Sequence, residues 1–164
     1  VLEDIGGYNE VLHRNQDNDL NFRLIQRGYK LYLTNKTSCK YFVDPNIKTL
    51  YKYAYNNGRW NAQSIFINYK SMKLHHYVPA FFVLYLLTLP ISLILINTII
   101  QKSRVFFYYI PIFLYILLSV IETIKITWND KSIYALRLPI VFFKFHLFYG
   151  IGIIIGTIGK YVIA

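Results

Sequence analysis

Hydrophobic and polar positions divide the chain into two unlike halves. Through His76 the apolar residues come in short patterned runs between charged and turn-forming ones, and from Tyr77 onward they follow one another with few breaks. In the first half, Leu20 and Leu24 stand four apart, with Arg23 and Arg27 on another face, which predicts a short helix over about Asp19 to Arg27. Asp17 or Asn18 can cap its start, and Gly28 is suited to end it. Tyr29, Leu31 and Leu33 then alternate with Lys30, Tyr32 and Thr34, the period of a half-buried strand. After the break at Asp44-Pro45-Asn46, Ile47, Leu50, Tyr51 and Ala54 return to helical spacing, while Lys48, Lys52, Tyr55 and Arg59 line a different face. A basic, aromatic-rich amphipathic helix just ahead of a long apolar run suits the head-group layer of a membrane. Gly58 is expected to weaken or end it near Arg59-Trp60.

The second half predicts three membrane-crossing helices, over about 77–101, 105–124 and 138–162. Tyr77 to Ile100 is free of charge, and at ~1.5 Å per residue it is long enough for the ~30 Å hydrocarbon layer. Pro90 is expected to kink this first span. Gly152 and Gly156, four apart in the third, permit close helix packing. These patterns give three regions: 1–44, 45–76 and 77–164.

Charge sharpens the division. The whole chain carries a net charge of +10, and up to His76 there are eleven Lys and Arg against six Asp and Glu. A basic surface beside apolar spans matches lipid head groups or a phosphate-bearing substrate better than nucleic acid. Lys70 and Lys73 flank the first span, and the remaining loop charges favour a cytoplasmic polar half. The single Cys39 excludes an internal disulfide framework and a cysteine zinc cluster. Val1-Leu2-Glu3-Asp4-Ile5 reads as the interior of a sequence, so the chain is expected to be the C-terminal part of something longer.

Several residues could carry chemistry, each with a plain alternative. Asp17 and Asp19 lie near a helix start, where free N–H groups and the macrodipole favour the carboxylate anion. Such an anion can serve as a general base toward a hydroxyl, or it can simply cap the helix. Arg59 could hold a diphosphate while Trp60 stacks on a sugar ring, or the pair could anchor the chain at the interface. His75 and His76 sit at the expected head-group boundary. Lys144 and His146 fall within the third span, where ionisable groups tend to face protein or water.

The order of these motifs resembles a known family. Gly6-Gly7-Tyr8-Asn9-Glu10 comes first, then Asp17-x-Asp19-Leu20-x-x-Arg23-Leu24-x-x-x-Gly28-Tyr29-Lys30, then Arg59-Trp60 ahead of apolar spans. The chain resembles the C-terminal half of family-2 glycosyltransferases, inverting enzymes with a GT-A fold, and among them the membrane-bound polysaccharide synthases of succinoglycan-biosynthesis type. The resemblance implies an α/β fold for the first region, the C-terminal portion of a GT-A domain, followed by the interfacial helix and three transmembrane helices. It implies Asp17 as general base. Gly6, Gly7 and Glu10 match the acceptor-side loop, and Asp19, counted with the substrate-binding residues, is expected mainly to support the helix start. Asn56, Arg59 and Trp60 match the element that closes over donor diphosphate and acceptor. Gln16 stands where the family has Glu, and Asn56 where it has Gln.

The partners so implied are a nucleotide-sugar donor, a lipid-linked or glycan acceptor and membrane lipid, with no nucleic acid. The cofactor implied is a divalent cation, Mg or Mn, bound mostly by a nucleotide-binding half that precedes the Gly-Gly loop in the family. The matching place is a bacterial plasma membrane. Two other readings stand beside this one: a non-catalytic membrane subunit or truncated remnant, and a lipid-phosphate-binding membrane protein.

Overall fold

The computed structural model describes residues 1–42, 44–67, 74–96, 102–131 and 133–163. Five helices account for most of them: α1 (Gln16–Gln26), α2 (Ile47–Ile67), α3 (Val78–Ile96), α4 (Lys102–Asp130) and α5 (Leu138–Ile163). Short 3-10 turns over Leu74–Tyr77 and Ile133–Arg137 lead into α3 and α5. Lys70 and Lys73 lie outside the described residues.

The expected α/β portion of a GT-A domain is absent: among the described residues there is no strand and no sheet. The alternating segment from Tyr29 to Thr34 has no regular structure, and Tyr32 and Leu33 are 93% and 98% exposed. The physical reason is the lack of a pairing edge. A strand satisfies its backbone through a neighbour, and alternation of side chains alone supplies none.

The helix boundaries follow local chemistry. Asn46 caps α2, its side-chain oxygen accepting the Lys48 N–H at 2.9 Å. Asp44 accepts the Asn46 N–H at 2.8 Å; that bond, with a second from the Thr49 side chain, holds its carboxyl below the usual range. At the C-terminus of α1, Gly28 takes a left-handed φ of 83°. The N–H of Gly28 reaches Ile25 O at 3.0 Å and that of Tyr29 reaches Leu24 O at 3.1 Å, the paired bonds of a Schellman end. Pro90 and Pro111 both lie inside continuous helices, α3 and α4.

Gly58 does not end its helix, as spacing and propensity suggested. It is buried in the middle of α2, where that helix closely approaches α5. A Cβ on Gly58 would strike the carbonyl of Tyr149, one on Gly152 the carbonyl of Tyr55, and one on Gly156 the carbonyl of Arg59. The ring of Tyr51 stacks on Phe148 with centroids 5.4 Å apart. Tyr51 with Phe148, Tyr55 with Gly152 and Arg59 with Gly156 advance by four residues on each helix, so α2 and α5 run in the same direction and in step. The contact continues over more than two turns of each helix. The small-residue face of α2, with Ala54 and Ala62 fully buried, is therefore committed to α5.

The remaining helices join at α5 and at α3. Gly150 lets the backbone of α5 approach Pro79 and Val83 at the start of α3, where Ala80, Ile153 and Ala62 share a small core. Phe82 stacks on Tyr115 of α4 with centroids 4.7 Å apart, and Tyr115 meets His146 of α5 at 3.0 Å. Among the described residues, three helical stretches are long and apolar enough to cross a membrane: Leu74–Ser92, Phe106–Asn129 and Ala135–Gly159. Much of their apolar surface faces outward, with Phe81, Leu87, Phe106, Phe113 and Leu118 all exposed. In water that surface would be costly; in hydrocarbon it needs no further cover.

Candidate functional site

The polar N-terminal segment is organised around one arginine. Gly6 and Gly7 form a tight turn in left-handed backbone, with φ of 78° and 65°, conformations that a side chain would strain. Arg23 of α1 donates to the carbonyls of Ile5 and Gly7 at 2.5 and 2.7 Å and to the Asp19 carboxylate at 2.9 Å. Asp19 is only 3% exposed, so its charge is neutralised inside the segment rather than offered to a ligand. Ile5, Leu12 and Leu20 are buried in the same segment. A second strap lies outside it: Arg27 donates to Asp4 O at 2.5 Å, and the Tyr29 hydroxyl bonds the Asp4 carboxylate at 3.1 Å. That carboxylate hydrogen bond raises the Tyr29 pKa above its ordinary value.

Asp17 occupies a different environment. Helix α1 begins at Gln16 with Asn15 as the preceding cap residue, so Asp17 is a first-turn residue and not the cap that its position suggested. It is exposed and, among the described residues, engaged in no ion pair. Its carboxylate is exposed at the positive end of a helix of 11 residues. Glu10 is exposed as well, in the loop where the Val11 N–H returns to the Asn9 side chain at 3.1 Å.

Helix α2 brings its own residues to this end of the molecule. Asn15 has a left-handed φ of 61°, and its side chain, instead of capping α1, donates to the Asn61 side chain. Asn61 in turn donates to the Tyr149 hydroxyl of α5. Next to this chain, Arg14 donates to the Asn57 side chain at 2.8 Å and lies over the Tyr53 ring at 5.3 Å. The His13 ring meets Trp60 edge-on, with centroids 5.1 Å apart. The turn that bears Asp17 is thus fastened to the face of α2 that bears Trp60.

The residues singled out in the sequence separate into two groups. Gly6, Gly7 and Asp19 are drawn together by Arg23, and Trp60 is drawn to the segment leading into α1. Asn56 and Arg59 are half-buried on α2, Arg59 with its backbone in the glycine seam and no ion-pair partner among the described residues. Lys144 has its ammonium 5.9 Å from the Tyr51 ring centre, and the rings of His75 and His76 lie 4.2 Å apart. Sequence reading missed Arg14, Asn15 and Asn61, and it gave Asn57 and Tyr149, which lie in runs it noticed, no part in the site. One signal was available for part of this set: Asn57 and Asn61 stand four apart on α2, a polar pair on one face. No three His, Cys, Asp or Glu side chains gather into a metal-binding group among the described residues.

Comparison with known proteins gives one partial relationship. Over 68 residues, 42% of this chain, the sequence is 32% identical to the succinoglycan biosynthesis protein ExoA of Rhizobium meliloti (strain 1021). The aligned part is 20% of that relative, so the chain spans only about a fifth of its length. No family model matches the chain, and no solved structure does. The similarity supports a glycosyltransferase-like relationship and a link to polysaccharide biosynthesis, at that coarse level.

Proposed function

We propose that this chain belongs to a membrane-bound inverting glycosyltransferase that transfers a sugar from a nucleotide-sugar to a lipid-linked or growing glycan acceptor. The observation that carries the reading is the state of the two carboxylates. Asp19 is buried and neutralised by Arg23, whereas Asp17 is exposed and without an ion-pair partner among the described residues in the first turn of α1, which follows the segment whose His13 meets Trp60 of α2. The partial similarity to a succinoglycan biosynthesis protein supports the same class.

In this reading the Asp17 carboxylate accepts the proton of an acceptor hydroxyl. The freed oxygen pair attacks the anomeric carbon of the donor from the face opposite the diphosphate. The new C–O bond forms as the bond to the diphosphate oxygen breaks, and the configuration inverts. Proton transfer by a positioned group of this kind contributes roughly 10²–10⁴-fold. The half-buried Arg59 guanidinium is assigned to the diphosphate, whose oxygens it can meet with two parallel donors. Trp60 is assigned to a sugar face, with Gly6, Gly7, Glu10 and Asn56 around the acceptor. The resemblance also implies a divalent cation, Mg or Mn, that would offset charge on the departing diphosphate. The described residues offer no three-ligand group for it.

The test is transfer activity. The complete protein is expressed in bacterial membranes and offered a panel of radiolabelled nucleotide-sugars, with the Asp17→Asn protein in parallel. Label passing into a membrane-bound glycan with the wild type, and lost with Asp17→Asn at equal expression, supports the reading. Failure of every donor, with the protein intact in the membrane, overturns it.

A further inference from the structure

A hydrogen-bonded route runs from α5 to the residue ahead of α1 through three side chains. Asn15, immediately ahead of α1, bonds Asn61 of α2, and Asn61 bonds the hydroxyl of Tyr149 on α5. We propose that Tyr149 is a positioning residue for Asp17, acting through Asn61 and Asn15, so that the helix pair α2–α5 sets the orientation of the carboxylate. The inference rests on the glycosyl-transfer reading for its catalytic consequence, but not for its geometry.

Three features point to positioning and not to packing alone. First, Asn15 holds left-handed backbone, and its side chain makes no capping bond to α1. An asparagine before a helix usually satisfies one of the free N–H groups; here its amide is directed to another helix. Its hydrogen bond therefore fixes where α1 sits more than it stabilises α1 itself. Second, the far end of the route is rigid. The Tyr149 carbonyl is pressed against Gly58 and Gly150 packs on Pro79, so the backbone that carries Tyr149 is held from two sides. Third, Arg14 bonds Asn57, one turn before Asn61 on the same face of α2. The two residues that lead into α1 are thereby clamped at two points four residues apart. Asp17 lies two residues beyond this clamp, with nothing else bound to its side chain among the described residues. A misplacement of ~1 Å in a reacting group can cost about 10²-fold in rate, so a loosened clamp has a kinetic consequence even when the fold survives.

The experiment uses the complete protein in lipid nanodiscs, with Tyr149→Phe and Asn15→Gly. Phenylalanine keeps the ring in its packing and removes the hydroxyl; glycine keeps the left-handed backbone and removes the amide. Should one variant fail to fold, the other carries the test, because they cut the route at opposite ends. The first measurement is hydrogen–deuterium exchange on the peptide containing Asn15 to Leu20, which requires no substrate. About tenfold faster exchange there, with exchange across α3 unchanged, is the expected result; unchanged exchange overturns the proposal. The second measurement is turnover. Each variant should lower kcat about tenfold with KM for the donor unchanged, and neither should lower it further in an Asp17→Asn background. Faster exchange with normal turnover, or a loss that adds to that of Asp17→Asn, would limit Tyr149 to a structural role and overturn the positioning. Full activity in Asp17→Asn itself would sink the reading of the base instead, and the exchange result would still decide whether the route holds α1.

Discussion

The Gly152 Cα lies so close to α2 that the carbonyl oxygen of Tyr55 occupies the space a Cβ would need. An approach of this kind brings two backbones within dispersion range along their length, which is how small residues bind helices where no hydrophobic drive exists. It also makes the pair intolerant of any side chain at that point. Gly152→Ala should destabilise the protein by about 1–3 kcal/mol, the usual range for forcing extra carbon into a filled interface. Gly159 has open space where its Cβ would stand, so Gly159→Ala should be neutral or slightly stabilising. Thermal denaturation of both variants in one detergent checks this, and equal stability for the two would contradict the seam.

The two aspartates should respond differently to the same substitution. Asp17→Asn is expected to lower turnover in the complete protein by ~10²-fold or more, the range for losing a general base, at normal expression. Asp19→Asn removes the charge that Arg23 neutralises, with Arg23 still held by the carbonyls of Ile5 and Gly7. Its cost should appear as about 1–3 kcal/mol of stability. Turnover per folded molecule and melting temperature, measured on both, separate these outcomes. A catalytic defect confined to Asp19→Asn would mean the wrong carboxylate was chosen.

Arg59→Lys separates recognition from anchoring. Lysine keeps the positive charge at the same depth but offers no planar pair of donors to a diphosphate. The variant should remain in the membrane fraction and lose most of its transfer activity. Fractionation alongside a turnover assay provides the check, and full activity would return Arg59 to the role of an interfacial charge.

Three crossings would put the two ends of the chain on opposite sides of the membrane, and the loop charges lead us to predict that the polar segment is the cytoplasmic one. Cys39 is an exposed free thiol and serves as a natural probe for the first end. A membrane-impermeant maleimide should label it in inside-out vesicles and not in intact cells, while a tag appended after Ala164 should be accessible only from outside. Labelling of both from one side would leave an even number of crossings.

Much of the helical content was legible from residue order alone. The three apolar stretches, the stop at Gly28 and the close-packing glycines at Gly152 and Gly156 all correspond to features of the structure, because each rests on local chemistry or on length against hydrocarbon. Where a partner decided the outcome, the same reading went astray. Tyr29 to Thr34 alternates like a strand yet stays irregular, since no neighbouring edge takes up its backbone bonds. Gly58 is a poor helix former by propensity, yet it sits mid-helix because its missing side chain admits the carbonyl of Tyr149.

The candidate site shows the same division. Residue types and spacing brought out Asp17, Asp19, Arg59 and Trp60, because carboxylates at a helix start and an Arg-Trp pair have recognisable chemistry in any fold. Only the tertiary structure distinguished the aspartates. Leu12, Leu20 and Ile5 bury one end of the segment, and Arg23 is thereby set against Asp19 and the Gly-Gly turn while Asp17 is left exposed. Asn15, Asn61 and Tyr149 could not be joined in advance, since each is an ordinary polar residue until α2 and α5 run side by side. Their connection depends on glycines that let two helices touch, a contact that spacing along one chain permits but does not specify.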